Sequence, residues 1–140
     1  MISADQINLA PVKAEVEALF AAYESALMRN DLEILDRTFW HSTFTVRFGT
    51  GENLYGIEAI RAFRIARKSG ALGRTLKNTQ IITYGQDFAT TTTEFVQTGR
   101  TVGRQSQTLV CFTEGWRIVS AHISFLDGLR GSSTGGPELV

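Results

Sequence analysis

The chain has 140 residues, 43% of them hydrophobic, with 14 Lys+Arg against 14 Asp+Glu and a pI of about 6.7. That length suits one domain with a proper core, and the balanced charge argues against nucleic acid or an anionic membrane surface as a partner. No apolar run reaches membrane-span length and the start lacks a basic-then-apolar signal pattern, so a cytoplasmic location is the default expectation.

Residues 1–7 read as a lead-in. From Leu9 a helical stripe begins: Val12, Val16, Leu19, Phe20, Tyr23, Ala26 and Leu27 recur at spacings of three and four. Pro11 falls in the first turn, where its missing N–H costs nothing. Asn30 can close this helix and Asp31 can cap the next. Leu32, Ile34, Leu35 and Phe39 predict a short second helix. Ser42 to Phe48 alternates as a strand, with Phe44, Val46 and Phe48 on one face and Thr43, Thr45 and Arg47 on the other. A turn at 49–53 and a short extended piece at Leu54-Tyr55 follow, and Gly56 opens a third helix through about Lys68. Long strands are expected from about Arg74 to Tyr84 and from Phe88 to Thr98, where threonines 90–93 favour extended backbone.

The last two strands form a hairpin, 103–112 and 116–125, with Glu114 and Gly115 as its turn residues. Counting outward pairs Cys111 with Ile118, Leu109 with Ser120, Gln107 with His122 and Gln105 with Ser124, all on one face. That face is apolar near the turn and polar at the far end. The opposite face reads as apolar too, so the helices would cover one side and a second copy of the chain the other. Cys111, the one cysteine, has no internal disulfide partner and reads as a small buried hydrophobe. Residues 128–140 are Gly- and Ser-rich and read as a flexible tail, leaving 1–127 as a single domain. Helices first and antiparallel strands last predict an α+β fold, a strongly curved sheet wrapped around three N-terminal helices.

No phosphate loop, nucleophile elbow or H-E-x-x-H motif is present, and two histidines with one cysteine make a poor metal set. What stands out is polar groups where a packed core prefers apolar ones. Tyr23 lies in the helix stripe, either as a core tyrosine or with its hydroxyl aimed into a pocket as a proton donor. Arg47 sits mid-strand and, if buried, needs an anion. The candidates are a protein carboxylate such as Glu94, a substrate carboxylate, or none if Arg47 snorkels to water. His122, with Ser124, Gln105 and Gln107, is either a satisfied core histidine or a group that titrates near neutrality. On the third helix, Arg64 belongs to the inner stripe, and Arg64 and Arg67 can both stand at a pocket mouth and favour anions. Arg67 reads as the more superficial of the two, and Arg61 as a solvated edge beside Glu58.

The runs Phe39-Trp40-His41, Thr45-Val46-Arg47-Phe48-Gly49, Glu52-Asn53-Leu54-Tyr55-Gly56 and Ala59-Ile60-Arg61-Ala62-Phe63-Arg64 resemble the AtzH/HpxZ-type proteins. Gly103-Arg104-Gln105-Ser106-Gln107 and the run from Gly115 to Ser124 continue the resemblance, which spans roughly residues 8–127. It implies a cystatin-like cone of the superfamily resembling nuclear transport factor two, dimerising through the outer sheet face. It implies breakdown of ureide or cyanuric-acid-derived nitrogen compounds beside amidase-type enzymes, such as 1,3-dicarboxyurea going to allophanate. The family's proposed working pair maps onto Tyr23 and Arg47. Arg64, Gln105, Gln107, Ser120 and His122 are then expected to bind substrate or shape the pocket. The resulting expectation is an amidohydrolase or decarboxylase with no metal and no cofactor, acting on a small anionic ureide or carboxylate. Two alternatives stand beside it: a dimeric binding module for a carboxylated metabolite, associated with an amidase, and an isomerase or dehydratase using His122 as base.

Overall fold

The first long helix, α1 (Ala10–Arg29), turns Val12, Val16, Phe20, Tyr23, Ala26 and Leu27 inward, as the spacing of its apolar residues requires. Asn30 ends it in the left-handed region at φ 54° and ψ 45°. Asp31 then caps α2 (Leu32–Thr38), accepting the Ile34 N–H at 3.3 Å. The short strands β1 (Val46–Phe48) and β2 (Asn53–Tyr55) precede α3 (Ile57–Ala66). Four long strands close the chain: β3 (Thr75–Tyr84), β4 (Phe88–Val96), β5 (Gly103–Phe112) and β6 (Gly115–Phe125). The computed structural model describes residues 1–67 and 73–127, so the expected tail, 128–140, lies outside the described residues.

The strands form one sheet in the order β2-β1-β6-β5-β4-β3. β1 runs parallel to β6, and the other neighbours are antiparallel. This is the expected α+β architecture of three helices against a curved sheet. Leu35, Phe39, Ile57 and Ile60 join the α1 stripe, with Leu109, Ile118 and Ala121 from the sheet, in one buried cluster. Each large apolar side chain fully buried there contributes about 1.5–3 kcal/mol. No described helix is long and apolar enough to cross a membrane.

β1 is shorter than its alternation suggests. Thr45 Oγ1 donates to the Trp40 carbonyl at 2.7 Å, and the Ser42 carbonyl accepts from Ile57 N–H at 3.0 Å. Local side chains and the helix start thus take groups that a ladder would use. The remaining strand still turns Arg47 inward, opposite Ala121 of β6.

The final hairpin departs further. Phe112 pairs with Gly115, so Thr113 and Glu114 are the turn residues and Gly115, at φ 117°, starts β6. This alters partners near the turn but no face. A β-bulge alters the face. Thr108 pairs with Ser120 and Leu109 with Ile118, leaving Val119 without an opposite number. Beyond it the alternation inverts. Gln105 and Gln107 stand opposite Ile123 and Ala121 on the inner face. Ser106 and Thr108 stand opposite His122 and Ser120 on the outer face. The expected pairs Gln107–His122 and Gln105–Ser124 do not form. The outer face is polar there rather than apolar, because Ala121 and Ile123 have turned inward and Arg104, Ser106, His122 and Ser124 outward. The argument for a second copy from two apolar faces loses its basis.

Helices α2 and α3 are tied by charge as well as packing. Arg61 donates to both Asp36 oxygens at 2.7 and 3.2 Å, and to Glu58 at 3.1 Å. The Arg61 hydrogen bond holds the Asp36 carboxyl below its ordinary 3.8, against the opposing pull of burial and with help from the His41 and Arg61 charges. A depressed folded value means that this stabilisation is complete above the unfolded value and is lost as pH falls through the folded one. Melting scans from about pH 5 to pH 2 should show an acid limb that Asp36→Asn makes shallower; an unchanged limb would assign the acid loss to other carboxylates.

Candidate functional site

Between the helices and the inner sheet face lies a cavity of about 210 Å³. That is room for a small organic ion. Tyr23 and Leu27 reach it from α1, Arg47 from β1, Glu52 from the turn before β2, and Phe63 and Arg67 from the end of α3. The sheet side contributes Arg74, Phe95, Gln105, Ile123 and Phe125, with Arg100 from the loop between β4 and β5. Tyr23 and Arg47, predicted from the sequence, therefore face the same space.

Among the described residues, four guanidiniums line this cavity against one carboxylate, that of Glu52. Arg47, only 6% exposed, donates through Nη1 to Glu52 at 2.9 Å. Its Nε is buried with no hydrogen-bond partner among the described residues. Glu94, the protein partner suggested by the sequence, faces Arg104 across β4 and β5 and accepts from Asn78 at 3.1 Å. Gly49 makes the Arg47–Glu52 approach feasible, since a Cβ there would collide with the Glu52 carboxylate and come within 3.0 Å of Arg47 Nη1. Arg74 is held by Glu24 of α1 at 2.7 and 2.6 Å and donates to Gln105 Oε1 at 3.1 Å. Gln105 Nε2 is then left buried without a partner among the described residues.

Aromatic rings, besides the carboxylates, set these cations in place. Arg74 Cζ lies 4.4 Å from the Phe95 centroid and Arg100 Cζ 3.8 Å from that of Phe125. Arg47 and Arg67 both approach Phe63. A ring orients a guanidinium without neutralising it, so its N–H groups stay available to an anion.

Arg64, expected at the pocket mouth, sits behind Tyr23 instead. It is 3% exposed, and its Nη2 donates to the Tyr23 hydroxyl at 2.9 Å. Burial is the largest influence on the Tyr23 phenol and pushes its pKa up. The charges of Arg64, Arg47 and Arg74 and the Arg64 hydrogen bond together outweigh burial, so Tyr23 titrates below the ordinary 10.0. With its oxygen accepting from Arg64, Tyr23 remains free to donate its own proton. The arrangement is a strengthened acid beside an anion-binding surface.

Gln107 is buried outside this lining and accepts from Thr91 Oγ1 at 2.9 Å. Ser120 and His122 lie across the sheet from the cavity, for the bulge has moved them to the outer face. There His122 lines a separate cleft of about 580 Å³ with Glu94, Arg104 and Ser124. A general base on His122 cannot reach a ligand in the inner cavity through the sheet. Sequence reasoning placed Arg67 at a pocket mouth, though as the more superficial arginine, and it missed Arg74, Arg100, Glu24 and Glu52. Of these, Glu52 carried the best signal, standing five residues after Arg47 across a Gly-rich turn.

Residues 5–128 match the model of the AtzH-like family. The chain belongs to the AtzH-like family. This AtzH-like protein is similar to a DUF3225-family protein of unknown function from Pectobacterium atrosepticum, with 55% identity over 91% of this chain and 100% of that one, and a TM-score of 0.88. It is also similar to a cystatin-like fold protein from Burkholderia xenovorans, with 41% identity over 86% and 95% of the chains and a TM-score of 0.83. A nuclear transport factor 2-like protein from Salmonella enterica shares the fold, at 24% identity over 86% and 96% of the chains and a TM-score of 0.69. No match to a curated protein reaches significance. The cystatin-like cone expected from the sequence is thus the fold of the AtzH-like chain.

Proposed function

We propose that this AtzH-like protein removes carbon dioxide from a small N-carboxylated urea, turning a 1,3-dicarboxyurea-like anion into an allophanate-like one. The observation that carries this reading is the buried Arg64–Tyr23 hydrogen bond beside a cavity lined by Arg67 and Arg100, which form no ion pair among the described residues, together with the paired Arg47 and Arg74. An N-carboxylate needs little help: a proton reaches its nitrogen, the N–C bond breaks with its electron pair going to nitrogen, and carbon dioxide departs. Tyr23 supplies that proton, and Arg64 stabilises the tyrosinate left behind until water reprotonates it.

The carboxylate that leaves must lose its charge, so an arginine clamped on it would favour the ground state over the transition state. Arg47 is therefore assigned to the carboxylate that stays. The leaving group faces the phenol and the apolar wall of Leu27, Ile123 and Phe125. Gln105 has a free amide nitrogen for the urea carbonyl.

The test is carbon dioxide release from 1,3-dicarboxyurea by the purified protein, measured against the spontaneous rate. Arg47→Lys keeps the charge but loses the planar fork, and kcat/KM should fall about 10- to 100-fold, the worth of a charge-assisted hydrogen bond. Release at the spontaneous rate, or full activity in Arg47→Lys, would remove this mechanism. Ligand binding without turnover would make the protein a binding module.

A further inference from the structure

Phe63 is shared by two like-charged groups. Arg47 Cζ lies 5.2 Å from its centroid and Arg67 Cζ 5.8 Å. Arg47 pairs with Glu52 at 2.9 Å, whereas Arg67 forms no ion pair among the described residues and feels the Glu52 charge only as a weaker influence. Arg67 Nε and Nη2 are buried and have no hydrogen-bond partner among the described residues. Burial first, then the charges of Arg64 and Arg47, lowers the pKa of the Arg67 guanidinium. A guanidinium does not relieve such an arrangement by losing its proton. It is relieved by an anion.

The backbone explains how Arg67 comes to be there. α3 stops at Ala66, and Arg67 follows with extended geometry at φ −77° and ψ 129°. Its side chain therefore leaves the helical path and reaches the cavity lining. Glu52, the one acid in the lining among the described residues, is already engaged by Arg47.

We propose that Arg67 is the anchor for a second anionic group on the ligand, so that the cavity selects small dicarboxylates over monocarboxylates. The ligand would bracket the edge of Phe63, with one carboxylate at Arg47 and the other toward Arg67. The spacer between them is short, because both arginines touch one ring. This rests on the reading of the cavity as an anion site, but not on turnover. In the decarboxylation scheme Arg67 recognises the dianion on binding, and the scissile carboxylate leaves it for the phenol and the apolar wall before the N–C bond breaks.

The experiment is calorimetric titration of the full chain with malonate, succinate and acetate, none of which can react. The wild type should bind the better-fitting dicarboxylate about 10- to 100-fold more tightly than acetate, the increment expected for one added charge-assisted contact. Arg67→Gln should abolish that preference and leave acetate binding within about twofold. Arg67→Lys, which keeps the charge, should retain part of it. Equal affinities for all three anions in the wild type, or a full preference in Arg67→Gln, would overturn the proposal. If Arg67→Gln does not fold, the side-chain Nε resonance of Arg67 provides the second measurement. It should shift on adding malonate or succinate, and an unmoved resonance at saturation refutes the contact. A dicarboxylate preference without carbon dioxide release would leave this inference standing and sink the proposed reaction alone.

Discussion

Tyr23→Phe lowers carbon dioxide release from 1,3-dicarboxyurea by about 10²–10⁴-fold, the usual worth of a placed proton donor, while the protein stays folded. The ring is 3% exposed and packs against Phe39 at a centroid distance of 6.0 Å, and phenylalanine keeps that packing. The change does leave the Arg64 Nη2 contact of 2.9 Å unmade, at a cost of about 1–3 kcal/mol. The wild-type pH profile carries a sign that separates catalysis from structure. Tyr23 acts in its protonated form, so the rate falls as pH rises through its lowered pKa. Arg64→Gln removes a charge and the hydrogen bond that favour tyrosinate, so the alkaline limb should move to higher pH. Ultraviolet titration of the three tyrosines gives an independent check. One phenol should ionise below 10.0 in the wild type and be missing in Tyr23→Phe. Wild-type activity in Tyr23→Phe, or an alkaline limb unmoved in Arg64→Gln, would remove Tyr23 from the chemistry.

Glu24→Ala destabilises the fold by about 3–5 kcal/mol, the range for a buried ion pair that loses one partner. The Arg74 side chain is 4% exposed and that of Glu24 15%, so removing the carboxylate strands a cation that cannot deprotonate. For a domain of this size the fall in Tm is roughly 10–20 °C. Combining Glu24→Ala with Arg74→Met should recover much of it, because the second change removes the stranded charge. The double variant would still lose the Arg74 contact to Gln105 at 3.1 Å. Thermal melts of the two variants decide the point. A single variant as stable as the wild type would show that solvent reaches Arg74 freely.

Much of this was legible in the residues, for identifiable reasons. The α1 stripe, the Asn30 stop and the Asp31 cap are local signals, and each is realised. Tyr23 and Arg47 were conspicuous because a phenol and a guanidinium interrupt apolar patterns, and they meet in one cavity. The errors fell where a pattern was extended past its end. Extending the third helix through Lys68 kept Arg67 on the helical surface, whereas the helix stops at Ala66 and releases it inward. Extending the alternation of β6 through Val119 put Ser120 and His122 inside. The Arg74–Glu24 pair joins residues 50 positions apart, and nothing local in either segment announces it.

Val119 also determines how this domain tolerates change in length. Every residue of β6 beyond it owes its side of the sheet to one unpaired position. Were Val119 drawn into the ladder opposite Thr108, a hydroxyl and an imidazole would enter the cavity and Ala121 and Ile123 would meet water, with no substitution made. Deleting Val119, by contrast, keeps Ser120 opposite Thr108 and every later face as it is. The far half of β6 therefore behaves like text read in frame, in which a shift at the bulge does more than a changed letter.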